Sequence, residues 1–277
     1  MPGGFHVAET GRTGQTVLDF RLLGAVEVRR DGRSVRLTSA KHRILLAALL
    51  LHAERVVPFD ELTEVIWDAA QPENPRRTIQ LYVTRLRKAI AGTDSEEIIA
   101  TCPEGYRVDA RPEQIDLGRF HLAVTRADQA AAAGDVAGEA AALGQALAEC
   151  RGDPLAGLPS DSLQREIVPQ LREQWVRALE RRFDVELSLG RGAAVVDELC
   201  LRTAQNPLRE RLWVQLMTAL ERCDRRAEAL NVYHTARKHL MDELGVDPGK
   251  PLQLRYAEIL ADRRQPVGAA SSAPYAR

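Results

Sequence analysis

Hydrophobic and polar positions change period several times along the chain. In "VLDFRLLGAVEVRRDGRSVRLT", from Val17 to Thr38, they alternate over short runs broken by Gly24 and by the turn pair Asp31-Gly32. Alternation between turn residues predicts a small antiparallel sheet. The next segment, "SAKHRILLAALLLHAERVV", opens on a capping serine, Ser39, and carries Ile44, Leu45, Ala48, Leu49 and Leu51 along a strongly apolar, largely buried helix. "PFDELTEVIWDAA" starts with Pro58 and Asp60 and sets Leu62, Ile66 and Trp67 on one face of a second helix. "QPENP" then breaks the chain. A third helix follows in "PRRTIQLYVTRLRKAI", where Ile79, Val83, Leu86 and Ile90 recur at spacings of four, three and four and make one buried stripe. Pro75 suits its first turn, and Asn74 or Glu73 can serve the exposed amides. Beyond it, "EEIIATCPEGYRVDA" reads as two strands, Ile98 to Thr101 and Tyr106 to Asp109, joined into a hairpin by Pro103-Glu104-Gly105.

From Leu117 to about Asp262 strand patterning disappears. Helices of about fifteen residues are separated by breakers at Gly134, "RGDPLAGLPSDS", Gly190 to Gly192, "QNPLRE" and "LGVDPG". Their paired spacing predicts helix hairpins repeating at roughly tetratricopeptide length. The clearest pair is "NPLRERLWVQLMTALERC" with "DRRAEALNVYHTARKHLMDEL". In its second helix, small Ala227, Ala229 and Ala236 alternate with Leu230, Tyr233 and Leu240, so that neighbouring helices approach closely. Stacked pairs make concave surfaces that bind proteins or peptides more often than they catalyse. Exposed cations there, among them Arg209, Arg211, Arg225 and Arg226, are read as solvated or as partner contacts. The tail from Arg264 is rich in Pro, Ala and Ser and is expected to be disordered.

The third helix has a second face. Opposite its apolar stripe the wheel gathers Arg77, Leu81, Thr84, Arg85 and Lys88, with Thr78 at the margin and Arg76 and Arg87 flanking the stripe. A charged helix face is usually a solvated one, but solvated faces mix signs. This face is all positive, with a hydroxyl and a leucine among the cations. A helix entering the DNA major groove needs that mixture: Arg or Lys for phosphates and guanine edges, Thr for either, and an apolar group for a thymine methyl. The order sheet, helix, helix, basic helix, hairpin is that of a winged helix-turn-helix with an added N-terminal sheet. Arg107, near the wing tip, is then a phosphate or minor-groove contact, with a cross-strand partnership inside the hairpin as the alternative.

Composition adds bounds. The 277 residues exceed what one small core needs, and 45% hydrophobic with 28% charged residues is an ordinary globular composition. No apolar run reaches membrane-spanning length, and the start lacks the layout of a signal peptide, so a cytoplasmic protein is expected, and with a DNA-binding helix a nucleoid-associated one. Net charge is −1, with 16 Lys and Arg against 15 Asp and Glu in residues 1–112 and 22 against 24 beyond. Global charge therefore says nothing of nucleic acid, and local arrangement carries the case. Cys102, Cys150, Cys200 and Cys223 form no C-x-x-C pair and are read as reduced thiols, and the scattered histidines make no metal-ligand spacing. Phosphate-loop, nucleophile-elbow and zinc-protease motifs do not occur. No enzymatic role, metal or cofactor is expected.

With both halves read, the chain resembles the Streptomyces antibiotic regulatory protein family, which includes AfsR-like regulators. The resemblance rests on "KHRILLAALLLHAERVVPFDELTEVIW", "RRTIQLYVTRLRKAI", the wing "PEGYRV", then "GDPLAGLP", "NPLRERLWVQLMTAL", "RRAEALNVYHTAR" and "DELGVDPGKPLQLRYAEIL", covering about residues 18–262. It implies a two-domain fold, an N-terminal α+β OmpR-like winged helix-turn-helix followed by an all-α tetratricopeptide-like bacterial transcriptional activation domain. The expected division is a disordered 1–16, a DNA-binding domain at 17–112, an activation domain at 113–263 and a disordered 264–277. The resemblance further implies a transcriptional activator of antibiotic biosynthesis genes. It would bind direct repeats near the promoter −35 region, as a dimer on double-stranded DNA, and recruit RNA polymerase through its principal sigma factor and other subunits. The expected DNA-binding residues are Arg76, Arg77, Thr78, Leu81, Thr84, Arg85, Arg87, Lys88 and Arg107. Cys102 departs from the family pattern, where a basic or polar residue is more usual before the wing proline. Large members add an ATPase region, and either a small member or part of a larger one fits this chain. Two alternatives stand beside the activator: a protein-interaction scaffold without specific DNA binding, and a repressor with the same DNA site.

Overall fold

A computed structural model of the chain describes residues 17–68, 70–91 and 98–261. The N-terminal segment 1–16 and the tail from Arg264, both expected to be disordered, lie outside the described residues. Leu18–Arg21 (β1), Glu27–Arg30 (β2) and Arg33–Val35 (β3) form the expected antiparallel sheet in that order, with Phe20 opposite Val28 and Val28 opposite Val35. Between β2 and β3, Asp31 and Gly32 take φ of 48° and 78°. A tight turn matched to strand twist needs positive φ at both positions, which is why an Asp-Gly pair stands there.

Ala40–Leu51 (α1) buries every residue from Ile44 to Leu50. Ser39 occupies its N-cap position, but the hydroxyl makes no capping bond. Val57–Pro58 (β4) leads into Phe59–Trp67 (α2), which buries the expected Leu62, Ile66 and Trp67. Pro75–Ala91 (α3) is the basic helix. Ile99–Thr101 (β5) and Gly105–Val108 (β6) make the hairpin, and β4 joins it to give a sheet in the order β4-β6-β5. Sequence pattern misses β4, because two residues carry no periodicity.

A single tight turn at Pro112–Gln114 precedes Asp116–Ala132 (α4) and Val136–Ala148 (α5). A wide π-type turn at Leu163–Ile167 runs into Val168–Ser188 (α6). Gly192–Gln205 (α7), Glu210–Arg222 (α8), Arg226–Leu244 (α9) and Lys250–Ala261 (α10) follow; the breaks before α7, α8 and α10 fall at expected breakers, and the one between α8 and α9 falls where the two segments of the clearest pair meet. Gly245 closes α9 in the left-handed region at φ 69°, its N–H donating to Met241.

The described residues pack as two compact units. One contains the chain up to Asp128 together with Ala142–Ala178, and the other contains Gln129–Ala141 and the chain from Leu179. In the first, packing continues across residue 112, where the sequence pattern changes. Phe20 and Ile115 form a β-bridge, as do Ala25 and Ala156, and the amides of Arg151, Leu155 and Ala156 donate to the carbonyls of Leu23, Leu22 and Gly24 at 2.9, 2.9 and 3.0 Å. The hydroxyl of Ser160 donates to Val65 at 2.7 Å, and the Asp68 carboxylate accepts from the amides of Asp161 and Ser162 at 3.2 and 3.1 Å.

In the second unit α7, α8, α9 and α10 stack with α8 at the centre, burying Leu199, Leu212, Leu216, Met217 and Leu240. Ala229 and Ala236 are buried as expected, but Ala227 is exposed because it stands on the outer side of the first turn of α9. The arginines singled out there mostly bind within the unit. Arg211 pairs with Asp184, Arg225 with Glu228 at 2.7 Å, and Arg226 donates to the carbonyls of Ile259 and Leu260 at 2.9 Å each.

Candidate nucleic-acid interface

The apolar stripe of α3 fixes the orientation of its other face. Ile79, Val83, Leu86 and Ile90 are all buried, at most 1% exposed, against α1 and α2. At about 0.8 kcal/mol per buried methylene, rotating this stripe out of the core would cost far more than any surface contact returns. The helix is anchored at its start by Asn74, whose side-chain oxygen accepts the Arg77 amide at 3.0 Å and whose carbonyl accepts the Thr78 hydroxyl at 3.0 Å. Of the two expected caps, Asn74 is the one used.

With that phase set, Arg77, Leu81, Thr84, Arg85 and Lys88 all face outward. Thr78 is half-buried at the margin, and the Thr84 hydroxyl donates back to the Gln80 carbonyl at 2.9 Å while keeping its acceptor capacity outward. Among the described residues no carboxylate pairs with Arg77, Arg85 or Lys88. Leu81 is 48% exposed among them. The positive field reaches inward as well. His42 of α1 lies edge-on to Tyr82, with ring centroids 5.0 Å apart, and burial, then the charge of Arg85, hold it below the ordinary histidine range.

The other expected contact residues are placed differently. Arg87 turns to the hairpin, donating to the Ile99 carbonyl from Nε at 3.0 Å and from Nη2 at 2.5 Å, and to the Thr101 hydroxyl at 2.8 Å. Arg76 lies over the ring of Phe59, 4.3 Å from its centroid, and reaches the Pro103 carbonyl at 3.4 Å. The structure thus brings five of the expected residues onto one open face and turns these two toward the wing. Their position beside the buried stripe was the only sequence signal for this. Arg107 lies on β6 and is paired with Asp109, two residues along the chain and just past the end of that strand, at 2.6 Å, so its partner is not the cross-strand one. Both side chains are exposed, and such a pair is worth too little to prevent Arg107 from exchanging the carboxylate for a phosphate.

Leu81→Ser provides a check on the phase. Because the side chain is half in solvent, unfolding free energy should change by no more than about 0.5 kcal/mol, while affinity for a specific duplex falls. A large drop in melting temperature would place Leu81 in the core and overturn the assignment of faces.

Among the described residues no group of His, Cys, Asp or Glu is arranged to hold a metal ion, and no helix is long and apolar enough to cross a membrane. Residues 32–108 match the family described as Transcriptional regulatory protein, C terminal, and residues 115–260 match the Bacterial transcriptional activator domain. The transcriptional regulatory protein EmbR of Mycobacterium tuberculosis is 37% identical over 258 residues, 92% of this chain and 66% of EmbR. The regulatory protein DnrI of Streptomyces peucetius is 32% identical over 88% of this chain and 93% of its own length. The regulatory protein AfsR of Streptomyces coelicolor is 38% identical over 94% of this chain but only 26% of AfsR. The solved structure of M. tuberculosis EmbR in complex with a low-affinity phosphopeptide superposes with a TM-score of 0.84 at 36% identity, covering 92% of this chain and 67% of that one. The chain therefore spans just under two thirds of EmbR and about a quarter of AfsR. With an OmpR-type winged helix followed by a bacterial transcriptional activator domain, and relatives that include AfsR and DnrI, the chain belongs to the Streptomyces antibiotic regulatory protein family of transcriptional regulators.

Proposed function

We propose that the protein is a sequence-specific activator of secondary-metabolite biosynthesis genes that binds direct repeats near the promoter −35 region and recruits RNA polymerase through its principal sigma factor. The observation that carries this reading is the outward face of α3, where three cations that pair with no carboxylate among the described residues, a hydroxyl and an exposed leucine stand on one helix. In the major groove, Arg85 and Arg77 suit guanine edges or phosphates, Lys88 a phosphate, Thr84 a base or phosphate, and Leu81 a thymine methyl. Two protomers placed head-to-tail, about one helical turn apart, repeat this contact without two-fold symmetry. The helical array after the winged domain supplies the protein-binding surface for polymerase. The protein acts in the cytoplasm, at the nucleoid, as a regulator and not as an enzyme.

The test is selection of bound duplexes from a random pool, followed by titration of the recovered site at several salt concentrations. A directly repeated motif with a steep salt dependence is expected. Arg85→Ala should relax preference at one base pair by about 1–3 kcal/mol if Arg85 reads a guanine. If Arg85 holds a phosphate, affinity falls evenly across sequences and the salt slope becomes shallower by about 1. Recovery of no motif, with only weak salt-sensitive binding, would leave an interaction scaffold as the better reading. Transcription in vitro with polymerase present separates activation from repression.

A further inference from the structure

We infer that Arg76 and Arg87 are positioning residues that clasp the wing hairpin to α3, so that they act on DNA by setting where the wing lies and not by touching it. This rests on the DNA-reading function proposed above. The hairpin needs such a device. A two-stranded hairpin is marginal alone, and β4 adds only the pairs Val57–Tyr106 and Pro58–Gly105. In the order β4-β6-β5, β5 is an edge strand. Its Ile98 carbonyl accepts the Asp109 amide of the hairpin at 2.9 Å, leaving the alternate carbonyl, Ile99, pointing away from β6. Arg87 takes up that outward carbonyl with two donors and the Thr101 hydroxyl with one of them. A planar guanidinium fork spans both acceptors from one side chain.

The other end of the hairpin is held separately. Arg76 lies on Phe59 and reaches Pro103, the Phe59 amide donates to Glu104 at 3.0 Å, and the Phe59 ring meets Tyr106 edge-on with centroids 5.4 Å apart. Tyr106 lies near both arginines: burial pushes its hydroxyl up, and the charges of Arg87 and then Arg76 act in the opposite direction. The wing is thus tied to α3 near both its tip and its far strand. The consequence is a fixed offset between bases read by α3 and backbone met by the wing at Arg107. Of the five cations on α3, only Arg77, Arg85 and Lys88 are then left to face the groove.

The test uses the full chain, with amide hydrogen exchange read at residues 98–108 and hydroxyl-radical footprinting on the selected duplex. Arg87→Ala and Arg87→Lys should both speed wing exchange by about tenfold or more, the size expected for losing a charge-assisted hydrogen bond, while buried amides of α1 and α3 keep their protection. Both should lose footprint on the flanking backbone and keep the base preference of the central site. Arg76→Ala should do the same at residues 103–106. Arg85→Ala, the control, should change base preference with wing exchange unaltered. Lysine keeps the charge and loses the fork, so an Arg87→Lys protein with wild-type exchange and footprint would show that charge alone matters and would overturn the clasp. Wing exchange unchanged in both Arg87→Ala and Arg76→Ala would overturn it equally. If Arg87→Ala fails to fold, Arg87→Lys and Arg76→Ala decide. If the wild type selects no duplex, the DNA-reading function fails while the exchange comparison still decides the clasp.

Discussion

Replacing Asp116 by alanine should lower the unfolding free energy by about 3–5 kcal/mol, the range for breaking a buried charged network by removing one partner. Asp116 is only 1% exposed, yet every donor around it is met. Oδ1 accepts the amides of Leu22 and Leu117 at 2.7 and 2.8 Å, and Oδ2 accepts the Leu23 amide at 2.9 Å and Nη2 of Arg151 at 3.0 Å. The segment after β1 therefore has its amides satisfied by a carboxylate nearly a hundred residues away, in place of a fourth strand. Alanine would strand three buried N–H groups and leave the Arg151 guanidinium with Glu27, at 3.8 Å, and solvent. Asparagine keeps one acceptor and should cost less, about 1–3 kcal/mol. Denaturant unfolding at constant slope gives the comparison. An alanine variant within about 1 kcal/mol of wild type would mean that water reaches these amides and that Asp116 is no keystone.

A second large effect is expected at Gly105. A Cβ built there would lie 1.9 Å from the Val57 carbonyl oxygen and 2.8 Å from its carbon. These are backbone atoms of the paired strand β4, so no side-chain rotation relieves the clash. Gly105→Ala must push β4 and β6 apart, breaking the Pro58–Gly105 pairing that ties the hairpin to the start of α2. The expected loss is about 3 kcal/mol, at the upper end for overpacking. Wing amides should exchange faster and the duplex footprint should shrink on the flank. A melting curve and exchange pattern matching wild type would show that the two strands yield easily, contrary to the close approach described.

Much of this was legible in the sequence where periodicity and burial coincide. The spacing of Ile79, Val83, Leu86 and Ile90 set the phase of α3, and with it the outward set Arg77, Leu81, Thr84, Arg85 and Lys88. Turn chemistry located both the Asp31-Gly32 turn and the hairpin around Pro103-Glu104. What could not be read was long-range and polar. The partners of Asp116 and Arg87 are distant or flanking residues whose side chains show no period, and β4 is too short to have one. Ala227 departs from the expected close approach because small size marks one only when the residue also faces a neighbour, and it lies outside the buried set of Ala229, Ala236 and Leu240.

The same long-range bonding bears on how these regulators are recombined. Residue 112 looks like the natural junction for transplanting a DNA-reading head onto a relative's activator half, since the two matched families meet between 108 and 115. A graft there would cut between Leu22, Leu23 and Val65 on one side and their partners Asp116, Arg151, Leu155 and Ser160 on the other. The portable module is discontinuous: the winged helix travels with α4 as far as Asp128 and with residues 142–178, and chimeras that respect this division keep the native seam intact.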